Sequence, residues 1–310
     1  MKMLEYNNRY TTFWIRALKQ NIIEYTCDPS RLNNICVNDK PNLPFDITPV
    51  FFKREVLIKY QNSPHKYSVR DGHIHFLQEG IYLRVDTDIP DYVAVLLVDL
   101  SYLDYEEQLY WRSYNIKPND STNISIAAYN RWYDGKFAQS SAPDAILVEK
   151  YTQFYRHWYE HIGWHLFKEN PDNKKCILYS LHLLTDENNE KEFYEQILVV
   201  TKLFIDSLNV KHLPKLEENE NKSLNRLNSY LTQNNIYASG AIEFLRNIQR
   251  LRSTKAAHLG EVEKNVSRYF KFDEFSYGLI LGNIFATLVQ VINDLTNAAN
   301  YIAERNKYSQ

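Results

Sequence analysis

IEFLRNIQRLRSTKAAHLG, residues 242–260, is the stretch on which the reading of this chain turns. It reads as a helix carrying Arg246, Arg250, Arg252, Lys255 and His258 within little more than four turns, and it stops at Gly260. A much longer apolar helix follows. On a regular helix Arg252, Lys255 and His258 lie along one i, i+3, i+6 ridge that drifts about 60° per step, so Arg252 and His258 point about 120° apart. Unwinding near residues 256–260, or a second copy across a two-fold axis, would bring both to one phosphate. Residues 241–271 hold seven Lys and Arg against three Glu, a local basic strip of the kind an RNA backbone requires.

Around this stretch the pattern stays helical from Asp186 onward. Thr185 or Asp186 is the expected N-cap of EKEFYEQILVVTKLFIDSLNV, whose apolar residues recur every three or four positions. LEENENK is a solvated linker, and SLNRLNSYLTQN is a second helix ending near Asn234 and Asn235. Residues 241–259 form the third. The fourth, residues 275–303, points Leu279, Ile284, Leu288, Val291, Ile292, Leu295 and Ile302 at a core. Consecutive helices with short connections predict an antiparallel helical bundle over residues 186–310.

Residues 1–185 read differently. YTTFWIRALKQNIIEY is expected to open as a short amphipathic helix, residues 27–48 as an irregular connection, and PVFFKREVLIKYQNSP as a second short helix. HIHFLQ, IYLRVD and YVAVLLVDL are three β-branched and aromatic runs that predict an antiparallel meander, with VAVLLV buried on both faces. DYEEQLYWRSY is expected as a helix with Leu109 and Trp111 inward. NISIAAYNRWYDGKF is expected as a strand running into a turn at Asp134–Gly135, residues 144–168 as a long helix, and ILYSLHLL as a further strand. The fold class is therefore α+β: a mixed domain with a small antiparallel sheet over 1–185, then the bundle.

Composition narrows the function classes. A formal charge of -2 gives no overall pull toward nucleic acid or an anionic membrane, so an anion site must be a local patch. Cys27, Cys36 and Cys176 form neither a metal-ligand pair at CxxC spacing nor a secreted disulfide framework, which predicts a reducing, cytoplasmic setting. The N-terminal residues lack the apolar core of a signal peptide, and the apolar run at 92–100 is too short to cross a bilayer. No phosphate-binding glycine loop, GxSxG elbow or CxxC pair is present.

A C-terminal helical bundle with an arginine, a polar residue after it and a histidine four to six positions on resembles the HEPN domains, helical modules of many bacterial toxins and phage-defence proteins. Arg252, Ser253 and His258 match those positions in order and spacing, and the resemblance covers residues 186–310. It implies a metal-independent endoribonuclease that needs no cofactor and acts as a homodimer through the bundle, with residues 1–185 as a sensor or a site for a protein partner or ligand. His258 would exchange protons with the 2′-hydroxyl or the leaving oxygen, and Arg252 would bind the scissile phosphate. Arg246, Arg250, Ser253 and Lys255 would hold the flanking RNA. Family members often carry Asn where this chain has Ser253, and Arg70–His75 and Arg156–His161 share the Arg–His spacing outside the bundle. The alternative is a non-catalytic interaction protein, in which Arg252 and Lys255 are solvated and His258 caps the helix end. YEEQLYWRSYNIKP resembles a stretch of uncharacterised bacterial proteins and implies no function.

Two further clusters of titratable residues stand out in the sequence. His157, His161 and His165 recur every four residues, as zinc-binding neighbours do, but without the HExxH order, so a packed aromatic helix is the expectation and no metal site is assigned. Asp99, Asp104, Glu106 and Glu107 follow a buried strand, and a structural helix start is the expectation there.

Overall fold

The computed structural model of the protein describes residues 11–16, 22–28, 47–70, 72–168, 174–217, 220–257 and 263–308. It is α+β and a little over half helical, with small antiparallel sheets toward the N-terminus and helices in the C-terminal half. The chain divides into two compact units, Met1–Ala142 and Pro143–Gln310.

In the first unit, β1 (Thr11–Arg16) pairs antiparallel with β2 (Ile22–Cys27), where an amphipathic helix was expected. TTFWIR and IIEYTC are β-branched and aromatic, and that content decides the element. β3 (Pro49–Lys53) also replaces the start of an expected helix. It pairs antiparallel with β7 (Tyr92–Leu96), so PVFFK is a buried strand and only the residues after it turn helical, ending in α1 (Ile58–Gln61). β5 (His73–Phe76) and β6 (Ile81–Arg84) pair antiparallel as expected, but the third strand of their meander is β4 (Tyr67–Arg70), which was not expected. β7 is buried along nearly its whole length, as its unbroken apolar run requires, but joins β3 rather than the meander. Arg54, 1% exposed, donates to the carbonyls of Thr87 (3.0 Å) and Ile89 (2.7 Å) and so fixes the loop between β6 and β7.

α2 (Leu97–Leu100) and α3 (Tyr105–Ser113) follow. Asp104 caps α3, its side chain accepting from Glu107 N at 2.8 Å. Trp111 is fully buried as expected, whereas Leu109 faces solvent. Glu107, buried one turn before Trp111, accepts from Lys59 Nζ and Tyr60 Oη, and Trp111 Nε1 donates to the same Tyr60 oxygen at 2.6 Å. NISIAAYNRW is not a strand. It forms α4 (Ile126–Trp132), because Ser125 accepts from Ala128 N (3.0 Å) as an N-cap while Asp86 accepts from Ser125 N (2.6 Å) and Oγ (2.9 Å). The Asp134–Gly135 turn closes α4, with Gly135 at φ 61.

The second unit opens with α5 (Pro143–Ile162), which the sequence reading assigned to the first domain. Val148, Tyr151, Phe154 and Trp158 bury its inner face in the helical core. ILYSLHLL, expected as a strand, is the end of α6 (Lys174–Tyr179) and then extended chain. The side chain of Gln196 takes the place of a partner strand: it accepts from His182 N (3.1 Å) and donates to Ser180 O (3.1 Å). α7 (Glu190–Thr201) is capped by Asn189 rather than by Thr185 or Asp186. Glu192 N donates to the Asn189 side chain at 3.1 Å, and the Glu192 carboxylate accepts from Thr185 and from Asn189 Nδ2.

α7 runs into a π turn at Lys202–Asp206 that buries Leu203, Phe204 and Ile205 in succession. α8 (Ser223–Gln233), α9 (Ser239–Ala257), a short α10 (Lys264–Phe270) and α11 (Tyr277–Tyr308) complete the unit. α10 was not expected. Gly278 fits the start of α11 because a Cβ there would meet Glu187 Cα at 3.1 Å, and its N–H donates to Glu187 O at 2.8 Å. α11 packs most extensively along α5. Its residues Ile284, Leu288, Val291, Ile292, Leu295 and Ile302 are buried as expected, while Leu279 is 47% exposed. By length and composition α11 could also cross a membrane, a test that the core helix of a soluble protein passes too.

Burial gives both units a shared pH response. It raises the phenol pKa of Tyr25, Tyr60, Tyr110 and Tyr151, and pushes that of Tyr194 up to about 12. An unfolded tyrosine titrates near pH 10, so in that range the folded chain holds protons that the unfolded chain releases. The stability tied to these phenols is complete below about pH 10 and is lost as the pH climbs through the folded values. Thermal melts from pH 8 upward should show a flat Tm to about pH 10 and a fall beyond it. A Tm that stays flat to pH 12 would contradict these burials.

Candidate functional site

α9 owes its placement to Ile242, Leu245, Ile248 and Leu251, which recur at helical spacing and are each no more than 2% exposed. The polar residues between them fall on the remaining surface, where the expected site residues lie. Arg246 Nη2 donates to Asn225 Oδ1 of α8 at 2.8 Å. Arg250 is exposed and reaches Asn247 Oδ1 at 3.5 Å, the outer limit of a hydrogen bond. Arg252 Nη1 donates to Asp206 Oδ2 at 2.8 Å, with side-chain exposures of 36% and 44%. Ser253 Oγ donates back to Gln249 O at 2.9 Å, a bond internal to the helix. Lys255 sits in the last turn of α9, its side chain outside the described atoms, and His258 lies outside the described residues.

The expected basic strip is therefore divided. At 100° per residue, Arg250 and Arg252 lie about 200° apart around α9. Arg246 and Arg250 belong to the α8 side, and Arg252 belongs to the side of the π turn. One phosphate cannot be held by all three. The group centred on Arg252, with Ser253 and Lys255 in the same last turns, remains as the candidate site.

Asp206 is the residue that sequence reasoning missed. It is 46 positions from Arg252 and is presented by a π turn that no periodicity announced. A half-exposed pair of this kind contributes about 0–1 kcal/mol, so an incoming phosphate can displace the carboxylate and take over the guanidinium fork.

The other candidates resolve into packing. His157 and His161 stack with ring centroids 3.9 Å apart, His157 Nε2 lies 2.7 Å from Asn300 Oδ1 and His161 Nδ1 lies 2.9 Å from His157 O. His165, past the helix end at Gly163, stacks on Tyr155 at 4.0 Å. Among the described residues no three His, Cys, Asp or Glu side chains gather as metal ligands. A groove of about 370 Å³ between α5 and α11 is lined by Lys150, Arg156, His157, Glu160 and Asn293 among others, mixed in charge. Asp99 is held in a two-point pair by Arg84, at 2.8 Å for each bond, while Asp104 and Glu107 serve the α3 cap and core described above.

No family model matches the chain, and neither a curated protein nor a solved structure matches it. The functional reading therefore rests on the residues and their geometry.

Proposed function

We propose that the protein is a metal-independent endoribonuclease of the toxin or phage-defence type, cytoplasmic, acting as a homodimer through its helical unit, with the N-terminal unit as sensor or partner-binding module. The observation that carries this reading is the placement of Arg252: half-exposed on the last turns of a 19-residue helix within a helical unit, held by one solvent-facing carboxylate. By the HEPN resemblance His258, six positions on, removes the 2′-hydroxyl proton. The 2′-oxygen then attacks phosphorus, and the 5′-oxygen leaves and takes up a proton. Arg252 neutralises charge on the non-bridging oxygens as it develops. Lys255 and Ser253 lie in the same turns and hold the adjacent backbone. Arg246 and Arg250 are on the other side of α9 and would touch only RNA that wraps around the helix.

The Arg252–Asp206 pair favours a second reading, a non-catalytic interaction protein in which Arg252 fastens α9 to the π turn. Labelled single-stranded RNA incubated in EDTA separates the two. Wild type would be compared with Arg252→Ala, His258→Ala and Asp206→Ala, each checked by thermal melt. Cleavage by wild type and by Asp206→Ala, lost in both of the other folded variants, is the expected result. Cleavage that survives Arg252→Ala and His258→Ala would remove this site from consideration, and an inert wild type would leave the interaction reading.

A further inference from the structure

α9, α10 and α11 enclose a pocket of about 320 Å³ that has no role in the reading above. Its floor is apolar because the three helices meet there through buried residues: Phe244 of α9, Phe270 at the end of α10, and Ile280 and Ile284 of α11. Phe270 stands edge-on to Phe244 at 6.3 Å and to Tyr269 at 5.0 Å between ring centroids. Phe275 completes the aromatic lining. A cavity of this size, walled by four aromatic rings with a few polar groups, has the makeup of a small-ligand site.

The polar groups are Asn283 and Thr287, one turn apart on α11 and both exposed. The Thr287 hydroxyl donates to Asn283 O at 2.8 Å, so only its acceptor capacity is left. The Asn283 amide has no hydrogen-bond partner among the described residues and offers donors and an acceptor side by side. The charges around the mouth cancel. Lys271 is the one charged residue of the lining, with its ammonium 3.4 Å from Glu274 and 5.4 Å from the Phe275 ring. Arg268 and Asp273 flank it in sequence, Glu243 acts on Tyr269, and Asn247, bonded to that tyrosine, also meets Arg250. Three cations against three carboxylates give no net pull on a phosphate. The pocket therefore selects an uncharged ring with a hydrogen-bonding edge.

We propose that the pocket takes one unpaired nucleobase, its face against the aromatic wall and its edge on the Asn283 amide, from the strand whose phosphate Arg252 holds. The proposal rests on the reading of Arg252 as a phosphate site, and it adds the nucleotide that fixes where the strand lies. Phe244 and Arg252 share α9 and are about 12 Å apart along its axis. A stacked strand rising ~3.4 Å per nucleotide covers that distance in a few nucleotides. An aromatic side chain of a protein would fit the rings but leave the Asn283 amide to water. A base edge is the complement of that amide, as the pairing of asparagine with adenine shows. A duplex keeps its bases stacked and paired, and so cannot fill the site.

The test measures fluorescence anisotropy of a labelled 2′-O-methyl RNA single strand, which chemistry through a 2′-hydroxyl cannot cut, and of an abasic strand with the same backbone. The full-length wild type should bind the base-bearing strand about tenfold more tightly. Thr287→Phe adds a ring to the pocket from an exposed helix position and should remove that advantage, its fold being checked by thermal melt. Thr287→Ser should keep it. Arg252→Ala should weaken both strands alike and flatten the salt slope by about one. Equal affinity of wild type for the two strands would overturn the base pocket, as would an advantage that survives Thr287→Phe. If Thr287→Phe removes the advantage while Arg252→Ala changes neither strand, the base pocket stands and the phosphate reading of Arg252 fails, so the two can fall separately. No binding by wild type at about 50 mM salt would overturn the proposal and leave the pocket to an aromatic side chain of a protein partner.

Discussion

Replacing Trp158 with alanine is expected to cost the helical unit about 3–5 kcal/mol. The side chain is fully buried in α5, with Phe154 at 5.6 Å, Trp164 at 5.8 Å and Tyr230 of α8 at 6.4 Å between ring centroids. Truncation would remove one of two indoles from that junction and leave a cavity that rigid aromatic neighbours cannot fill. Phenylalanine should cost much less. Trp158 Nε1 is buried without a hydrogen-bond partner among the described residues, and losing an unsatisfied donor offsets part of the lost packing. Urea titrations of the two variants should show the alanine midpoint far below that of wild type and the phenylalanine midpoint between them. A loss under about 1 kcal/mol for the alanine variant would mean that α5 is not part of the helical core.

Arg226→Ala should be nearly as damaging, for a different reason. Arg226 is 9% exposed and donates through Nε to Pro214 O at 2.7 Å and through Nη2 to Leu213 O at 2.6 Å and to Val210 O. One guanidinium thus satisfies three backbone carbonyls in the connection that leads from the π turn toward α8. The bond to Leu213 O is buried and those to Pro214 O and Val210 O are partly so; a buried acceptor left without a donor costs about 1–3 kcal/mol, so a loss of about 2–3 kcal/mol is expected. Lysine should rescue little of it, because a single ammonium lacks the planar fork that meets three carbonyls at once. The decisive measurement is the melting temperature of both variants together with amide exchange over residues 208–216. An alanine variant that melts with wild type would show that water replaces the guanidinium.

The two mechanisms mark where the sequence was legible. α8, α9 and α11 could be read because their buried residues, such as Leu224, Leu227 and Leu231, repeat every three or four positions. β5, β6 and β7 could be read because His73–Phe76, Ile81–Arg84 and Tyr92–Leu96 are β-branched and aromatic runs between turn residues. What failed was decided by partners distant in sequence. Ser180 and His182 lie in an extended chain that bonds to the side chain of Gln196 rather than to a strand. Ile124 and Ile126 flank Ser125, and the carboxylate of Asp86, 39 positions away, helps to set a helix start there against their β propensity. Pro49–Lys53 resembled a helix until β7 supplied its ladder. At the candidate site Arg252 could be picked out by spacing, while Asp206 could not. That Arg246 and Arg250 turn to the opposite side of α9 follows from the same helical spacing.

The π turn at Lys202–Asp206 has a consequence for how this unit can tolerate change in length. A π turn carries one residue more than the α ladder around it. The extra residue is absorbed within about one turn, so the chain after the π turn stays in phase with the chain before it. Deleting one residue from 202–205 would restore a continuous α-helix and leave Asp206 facing Arg252 and Leu208 bridged to Phe167. Deleting one from the regular part of α7 would instead rotate everything downstream by about 100° and carry Asp206 away from Arg252. The turn is therefore a local store of one residue, the place in this helix where a single codon can be lost without changing which charge Arg252 meets.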